Sequence, residues 1–125
     1  MEIKRLAEQE AEESTGPVFD TQVHKKTGFS EDFDDKTVSI SEVIFAPGER
    51  TNFHTHTIRQ FLYVTGGRGI VATEDEEFVV EEGDVISIPP EEVHWHGATD
   101  DDEFRHISVV VRDPEHGGTI PYDGE

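Results

Sequence analysis

The sequence contains no cysteine. Disulfide bonds are therefore excluded, and so is any metal site that depends on thiolate ligands. Long hydrophobic runs are also missing, because no apolar stretch approaches the roughly 20 residues that a membrane-spanning helix needs. Residues 1–13 are rich in glutamate and do not have the form of a signal peptide. From these absences we expect a soluble cytoplasmic protein.

Basic residues are scarce. Ten lysines and arginines stand against 29 aspartates and glutamates, which gives a formal net charge of -19. Such a surface repels phosphate backbones and anionic lipids, so we expect no binding to nucleic acid or to membranes. Halophilic proteins use a densely acidic surface to stay soluble in salt, and we expect this to be one. The alternative is an ordinary acidic protein whose charged faces are simply solvated.

The charge leads to a prediction about salt. Self-repulsion should destabilise the fold in dilute buffer, where the Debye length is about 30 Å at 0.01 M salt. The melting temperature should therefore rise steeply as sodium chloride is added up to molar concentration. Thermal unfolding followed by circular dichroism would measure this rise, and a flat profile would contradict the halophile interpretation.

The 125 residues are enough for one domain with its own core. From residue 37 onward, β-branched and aromatic residues alternate with polar ones, and turn signals such as Pro47-Gly48 and Pro89-Pro90 recur at short intervals. No crossover helix is visible, so the pattern predicts an all-β fold, a jelly-roll β-barrel. We expect an N-terminal strand and acidic loops in residues 1–36, the barrel in residues 37–113, and a flexible tail in residues 114–125. Within the first segment, residues 2–6 could form an edge strand and residues 30–35 an exposed acidic loop.

Two pairs of histidines carry the strongest chemical signal. His54 and His56 are separated by one residue, as are His94 and His96, so in strands each pair shares a face. Imidazoles that converge from two strands make a site for a first-row divalent metal. Gln60 begins the next apolar run and is a candidate further ligand. Two other histidines are expected at the surface, namely His24 and His116.

The segment around these histidines resembles the cupin family. Gly48, His54, His56 and Gly67 match the spacing of the first cupin motif, in which Gln60 takes the place of a glutamate. Elements of the second motif follow, with two departures from it: Glu91 stands for a glycine and Ala98 for an asparagine. The matching residues of this second motif are Gly83, Pro89 and His94. The resemblance implies the double-stranded β-helix fold and a metal held by His54, His56, Gln60 and His94.

Within that family, the chain resembles the small manganese-dependent cupins that include hydroxynitrile lyases, often labelled carboxymuconolactone-decarboxylase-like. The likeness rests on the first histidine pair with Gln60 and on the His94-Trp-His96 block. In that group the ligand glutamate is likewise a glutamine, and the position of His106 is an active-site histidine. Arg59 departs from the group and is expected to place a cation near the mouth of the site.

The proposed ligands are all neutral, which has a chemical consequence. A divalent metal bound by three imidazoles and one amide oxygen keeps its full charge and is therefore a strong Lewis acid. The same neutral ligands disfavour oxidation of the metal to the trivalent state. This favours a lyase that acts on a small oxygenated molecule over a dioxygenase, although a dioxygenase or a non-enzymatic binding module remain alternatives. Affinity alone favours copper, nickel or zinc, so manganese is implied by the resemblance, with iron, zinc or nickel as other occupants.

Two further histidines are candidates for proton transfer. His96 shares the face of His94 and is assigned either a catalytic role or a structural one. His106 lies in the last strong strand, where it is either structural or, as the resemblance implies, catalytic. The substrate pocket is assigned to inward-facing residues of the barrel: Ser41, Val43, Leu62 and Val110.

The opposite faces of the same strands are apolar. Phe61 and Tyr63 point away from Gln60, and Ile107 and Val109 point away from His106. Exposed apolar faces of this kind predict a homodimer. Trp95 points away from His94 and is assigned to the core or to an interface.

Overall fold

A computed structural model describes residues 1–14, 18–19, 23–112 and 119–121 of the chain. Its helical content is a single 3-10 turn, Leu6–Glu8, so the described chain includes no helix that could span a membrane. The remaining elements are ten strands: β1 Glu12–Ser14, β2 Val23–Phe33, β3 Lys36–Phe45, β4 His54–His56, β5 Gln60–Thr73, β6 Glu77–Glu81, β7 Val85–Ile88, β8 His94–Ala98, β9 Phe104–Arg112 and β10 Thr119–Pro121.

All pairs between these strands are antiparallel, in the order β1-β2-β3-β9-β5-β8-β4-β10. Strand β5 connects the two halves of this curled sheet. Its first part pairs with β7 and β9, whereas its second part pairs with β6 and β8. One long strand shared by two antiparallel layers closes the barrel, and the predicted jelly roll is confirmed.

Two glycines in the middle of β5, Gly66 and Gly67, do not end the strand. The register shifts between Val64 and Gly66, so a β-bulge bends the strand where it passes from one layer to the other. Gly67 has a φ of 73°, and a Cβ there would overlap the backbone carbonyl of Glu103. Glycine is therefore needed at this point because the chain both turns and packs against β9.

The acidic segment of residues 30–35 is not a loop. The register of β2 with β3 continues to the pair Phe33 and Lys36, which leaves only Asp34 and Asp35 in the turn. Asp34 takes a φ of 53°, a conformation that a short polar side chain tolerates. The acidic residues before it occupy exposed positions of a strand. Their composition suggested a loop, but pairing between β2 and β3 makes this segment one arm of a hairpin. The expected edge strand in residues 2–6 is also wrong, since the first strand begins at Glu12.

The predicted flexible tail is wrong for Thr119–Pro121. These residues form β10 and pair with β4, with Ile120 opposite Thr55. The rest of that tail, with His116, lies outside the described residues. The strand that carries the first histidine pair is short, because only His54–His56 form β4 and Thr51 makes an isolated bridge.

The core lies beside the histidines. Phe45 and Phe104 are fully buried and stack with ring centroids 5.7 Å apart. Gly69 permits this packing, because a Cβ there would lie 2.5 Å from the Phe104 ring. The other members of the cluster are aliphatic: Val23, Val43, Val64, Val71, Val80 and Ala98. This packing supports one end of the barrel and holds in place the strands that carry the polar site.

Candidate metal centre

Three histidines from two adjacent strands meet inside the barrel. His54 lies directly opposite His94 in the pairing of β4 with β8, and His56 follows on the same face of β4. All three are buried, and their candidate ligand atoms lie within 4.8 Å of one another. The predicted convergence of these side chains is confirmed, and the group could hold a metal ion.

Backbone carbonyls orient two of these rings. The Nδ1 of His54 lies 2.7 Å from the carbonyl oxygen of Asn52, and the Nδ1 of His94 lies 2.8 Å from that of Glu92. Because a carbonyl only accepts, each Nδ1 carries the proton and each Nε2 carries the lone pair. The Nε2 of His94 is buried without a hydrogen-bond partner among the described residues. A nitrogen lone pair that accepts no hydrogen bond is free to bind a cation.

Gln60 is the fourth candidate ligand, and its side chain lies beside His56. Its side chain is 7% exposed, and its Nε2 donates to the Oγ of Ser108 at 2.9 Å. Its Oε1 is buried and receives no hydrogen bond from the described residues. A buried amide oxygen without a donor is costly unless something electropositive lies against it. Three imidazoles and this oxygen therefore fit a divalent cation.

Burial keeps these imidazoles neutral. Desolvation lowers the pKa of His54 to about 3, and neighbouring His94 acts in the same direction. Desolvation likewise lowers the pKa of His56 to about 4, and it lowers the pKa of His94 as well. Neutral imidazole is the form that binds metals, so the three rings are ready to act as ligands at neutral pH.

His96 and His106 form a second pair behind the first cluster. The Nδ1 of His96 lies 3.2 Å from the Nε2 of His106, and both side chains are buried. The ring centroid of His96 is 5.7 Å from that of His54, and Phe45 packs edge-on against it. Burial lowers the pKa of His106 to about 4, and burial together with His106 holds the pKa of His96 well below its usual range. Both rings are therefore neutral at pH 7 and next to the candidate ligands.

The residues assigned to the substrate pocket share the inner face of the sheet. Leu62 and Ser41 both lie opposite Ser108, Val43 lies opposite His106, and Val110 lies opposite Gln60. Val43 and Leu62 are buried, whereas Ser41 and Val110 are half-buried. Their role in binding substrate stays a prediction. Ser108 was not singled out from the sequence, because a serine in a strand gives no signal until its cross-strand neighbour is known.

Two other assignments can now be placed. Arg59 donates to the Oγ of Ser87 at 2.8 Å, and Ser87 lies opposite Phe61 on the outer face of the sheet. The expectation that Arg59 stands at the mouth of the site is therefore wrong, because this hydrogen bond holds the guanidinium outside the barrel. Trp95 is 5% exposed and lies under the Arg50 guanidinium, 4.2 Å from it, which supports the core assignment. His24 lies in β2 and is not part of the cluster.

The structure explains why the second cupin motif has a glycine at the position that Glu91 occupies here. Glu91, which stands where the motif has glycine, has a φ of 67°, and its N–H donates to the carbonyl of His56 at 2.7 Å. This turn needs a left-handed residue, which costs a non-glycine residue roughly 1–2 kcal/mol. The turn is nevertheless formed, and its hydrogen bond connects the second motif to the strand that carries His54 and His56.

The fold and the cluster define a small antiparallel β-barrel with a histidine-lined candidate metal site. The cupin domain family matches residues 41–110, more than half of the chain, and the protein belongs to the cupin family. It is 36% identical over 115 residues to an (R)-mandelonitrile lyase from Granulicella tundricola, covering 90% of this chain and 86% of that enzyme.

Solved structures agree on the fold. A cupin-like protein from Thermotoga maritima superimposes with a TM-score of 0.80 at 30% identity, covering 91% of this chain and 86% of that one. The polyketide cyclase RemF from Streptomyces resistomycificus superimposes with a TM-score of 0.75 at 21% identity, covering 90% and 84% of the two chains, and shows the fold alone.

Proposed function

We propose that this cupin is a metal-dependent lyase that cleaves and forms the carbon–carbon bond of cyanohydrins. The proposal is supported by its 36% identity to an (R)-mandelonitrile lyase. The single observation that carries it is a histidine pair, His96 and His106, buried against three histidines that could hold a metal ion. A Lewis-acid site beside a proton acceptor is the combination that cyanohydrin cleavage needs.

The ion would be held by His54, His56, Gln60 and His94, and manganese is the proposed occupant. When bound, the cation would supply Lewis acidity that polarises an oxygen of the substrate. The chain contributes ligands that are all neutral, so the site does not reduce the charge of the ion. The carbonyls of Asn52 and Glu92 fix the tautomers of His54 and His94, so each presents Nε2 to the site.

The histidine pair would move the proton. In the tautomer whose His96 Nδ1–H donates to His106 Nε2, the Nε2 of His96 carries a lone pair. That atom accepts the hydroxyl proton of the cyanohydrin while the carbon–carbon bond breaks and its electron pair leaves with cyanide. A carbonyl compound remains, and the imidazolium returns the proton to cyanide as hydrogen cyanide. Because burial disfavours the imidazolium, His96 holds the proton only briefly.

An assay with a simple substrate tests this function. The metal-loaded protein should convert (R)-mandelonitrile to benzaldehyde, and chelator-treated protein should lose this activity. His96→Ala should lower the rate by a factor of about 100 or more, the usual contribution of a proton-transfer group, whereas His24→Ala should not. Absence of turnover by the loaded protein across cyanohydrin, carbonyl and lactone substrates would contradict the proposal and favour a binding module.

Gln60→Glu separates Lewis-acid chemistry from redox chemistry. The carboxylate would cancel one charge of the ion, so lyase activity should fall by about tenfold, a barrier increase of about 1.4 kcal/mol. A redox reaction would be unaffected or faster, because a carboxylate stabilises the trivalent state. The comparison requires equal metal content in both proteins, measured by elemental analysis. Undiminished cleavage by the fully loaded variant would remove the argument against redox chemistry.

We further propose that the outer face of the sheet, defined by Ile40, Phe61, Tyr63, Val85 and Val111, binds a second copy of the chain. These side chains are 37–70% exposed and adjoin across the strands, with Tyr63 opposite Val85 and Phe61 opposite Ser87. Two of the ten basic residues, Arg59 and Arg105, lie at this face. Apolar side chains with few charges among them suit contact with an equally acidic second copy.

The dimer has a direct test by light scattering. The wild-type protein should have the mass of a dimer in molar salt, and Tyr63→Glu should produce monomers. Val79→Glu is the control, because Val79 is 64% exposed but lies in the β5–β6 hairpin away from this face. A monomeric wild type, or equal dissociation by both variants, would contradict the proposed interface.

A further inference from the structure

The two ends of the Gln60 amide are chemically different, and only one of them suits a metal. The carbonyl Oε1 offers lone pairs, whereas the Nε2 amino group only donates hydrogen bonds and would oppose a cation. Rotation by 180° about the last side-chain bond exchanges the two ends with almost no change in shape. A glutamine therefore ligates a metal best when its amino group has a hydrogen-bond acceptor on the side away from the ion.

In this barrel the hydroxyl of Ser108 is placed to be that acceptor. The Ser108 Oγ accepts the hydrogen bond of Gln60 Nε2 at 2.9 Å, and Gln60 Oε1 is left buried without a donor. The two residues lie on neighbouring strands in a diagonal relation, because Gln60 is opposite Val110 and Ser108 is opposite Leu62. The residues directly opposite Gln60, Val110 and Ile88, are both apolar and cannot hold the amide.

We infer that Ser108 is a positioning residue that holds the Gln60 amide with its oxygen toward the three histidines. The inference rests on the proposed function, in which Gln60 is a metal ligand. Ser108 does not touch the ion and acts through Gln60. A hydroxyl at this position gives the amide nitrogen its hydrogen-bond partner, which leaves the amide oxygen available to the ion.

Metal affinity, rather than activity, tests this role. Apo protein prepared with a chelator is titrated with Mn²⁺ and, separately, with Zn²⁺ by calorimetry, well below the melting temperature of each variant. Ser108→Ala should weaken binding by about 10–100-fold, the usual effect of removing a group that orients a ligand. Ser108→Thr keeps the hydroxyl and should restore affinity to near the wild-type value. Ser39→Ala is the matched control, since Ser39 also bonds through its hydroxyl, to Ser30, but at an exposed site.

A double-variant cycle distinguishes the inference from the function on which it rests. In the Gln60→Ala background, Ser108→Ala should have no further effect on metal affinity, because its target is gone. If Gln60→Ala itself leaves affinity unchanged, Gln60 is not a ligand and the proposed metal site is wrong. If Gln60→Ala weakens metal binding but Ser108→Ala does not, Gln60 is supported as a ligand and the positioning role of Ser108 is overturned. Additive losses in the double variant would also overturn it.

Discussion

Replacing His54 and His56 together by alanine should leave the purified protein without bound metal. The two imidazoles supply half of the proposed ligands, and both are buried in the site. Loss of a group that only orients a ligand weakens metal binding by roughly 10–100-fold, so loss of two ligands should weaken it by more than about a hundredfold. Elemental analysis of protein purified without added metal would measure the change.

Two controls separate loss of the site from loss of the fold. His24→Ala removes a histidine from strand β2, outside the cluster, and should retain the wild-type metal content. His54→Leu with His56→Leu fills most of the same volume without offering a ligand atom, and circular dichroism would show whether its sheet is intact. Stoichiometric metal in a folded double variant would refute the assignment of these ligands.

Acid should unfold the metal-free protein in the pH range below about 6.5, where unfolded histidines become protonated. Five histidines are buried in the barrel, and each has a lowered pKa: about 3 for His54, about 4 for His56 and His106, and a lowered value for His94 and His96. In the unfolded chain a histidine titrates near 6.5. The unfolded state therefore binds more protons than the folded state between these values.

The direction of the effect follows from that difference. Stability from neutral imidazoles is complete above about pH 6.5, and it is lost as the pH falls from 6.5 through about 4. Each histidine contributes up to about 1.4 kcal/mol per pH unit in this window. The free energy of unfolding of a domain of this size is roughly 5–15 kcal/mol. Protonation of several histidines together should therefore unfold it by about pH 4.5.

The measurement is urea unfolding of chelated protein between pH 7.5 and pH 4.5 in molar sodium chloride. High salt is needed because protonation of the carboxylates relieves self-repulsion and would oppose the effect in dilute buffer. His106→Leu replaces one buried titrating ring and should make the loss of stability less steep. Equal free energies of unfolding at pH 7 and pH 5 would contradict the expected linkage.

Much of the site could be predicted from the sequence because its signal is local. In a strand, neighbouring residues alternate between faces, so the spacing of His54 from His56 already places both rings on one side. The same alternation separates Phe61 and Tyr63 from Gln60, as the structure confirms. Two expectations failed because they were drawn from charge and composition, without knowledge of which strands pair. The acidic strand before Asp34 was assigned to a loop, and Arg59 was placed at the mouth of the site.

The sequence by itself determined the β-rich fold, the two faces of each strand, the neutral ligand types and the absence of thiolate chemistry. These properties depend on residue identity and on the period of the backbone. Only the tertiary structure decided that His94 lies opposite His54, that His96 contacts His106, that Gln60 donates a hydrogen bond to Ser108 and that Thr119–Pro121 return to pair with β4. Each of these depends on strand register between segments distant in the chain, which is set by how the whole barrel closes and not by any local pattern.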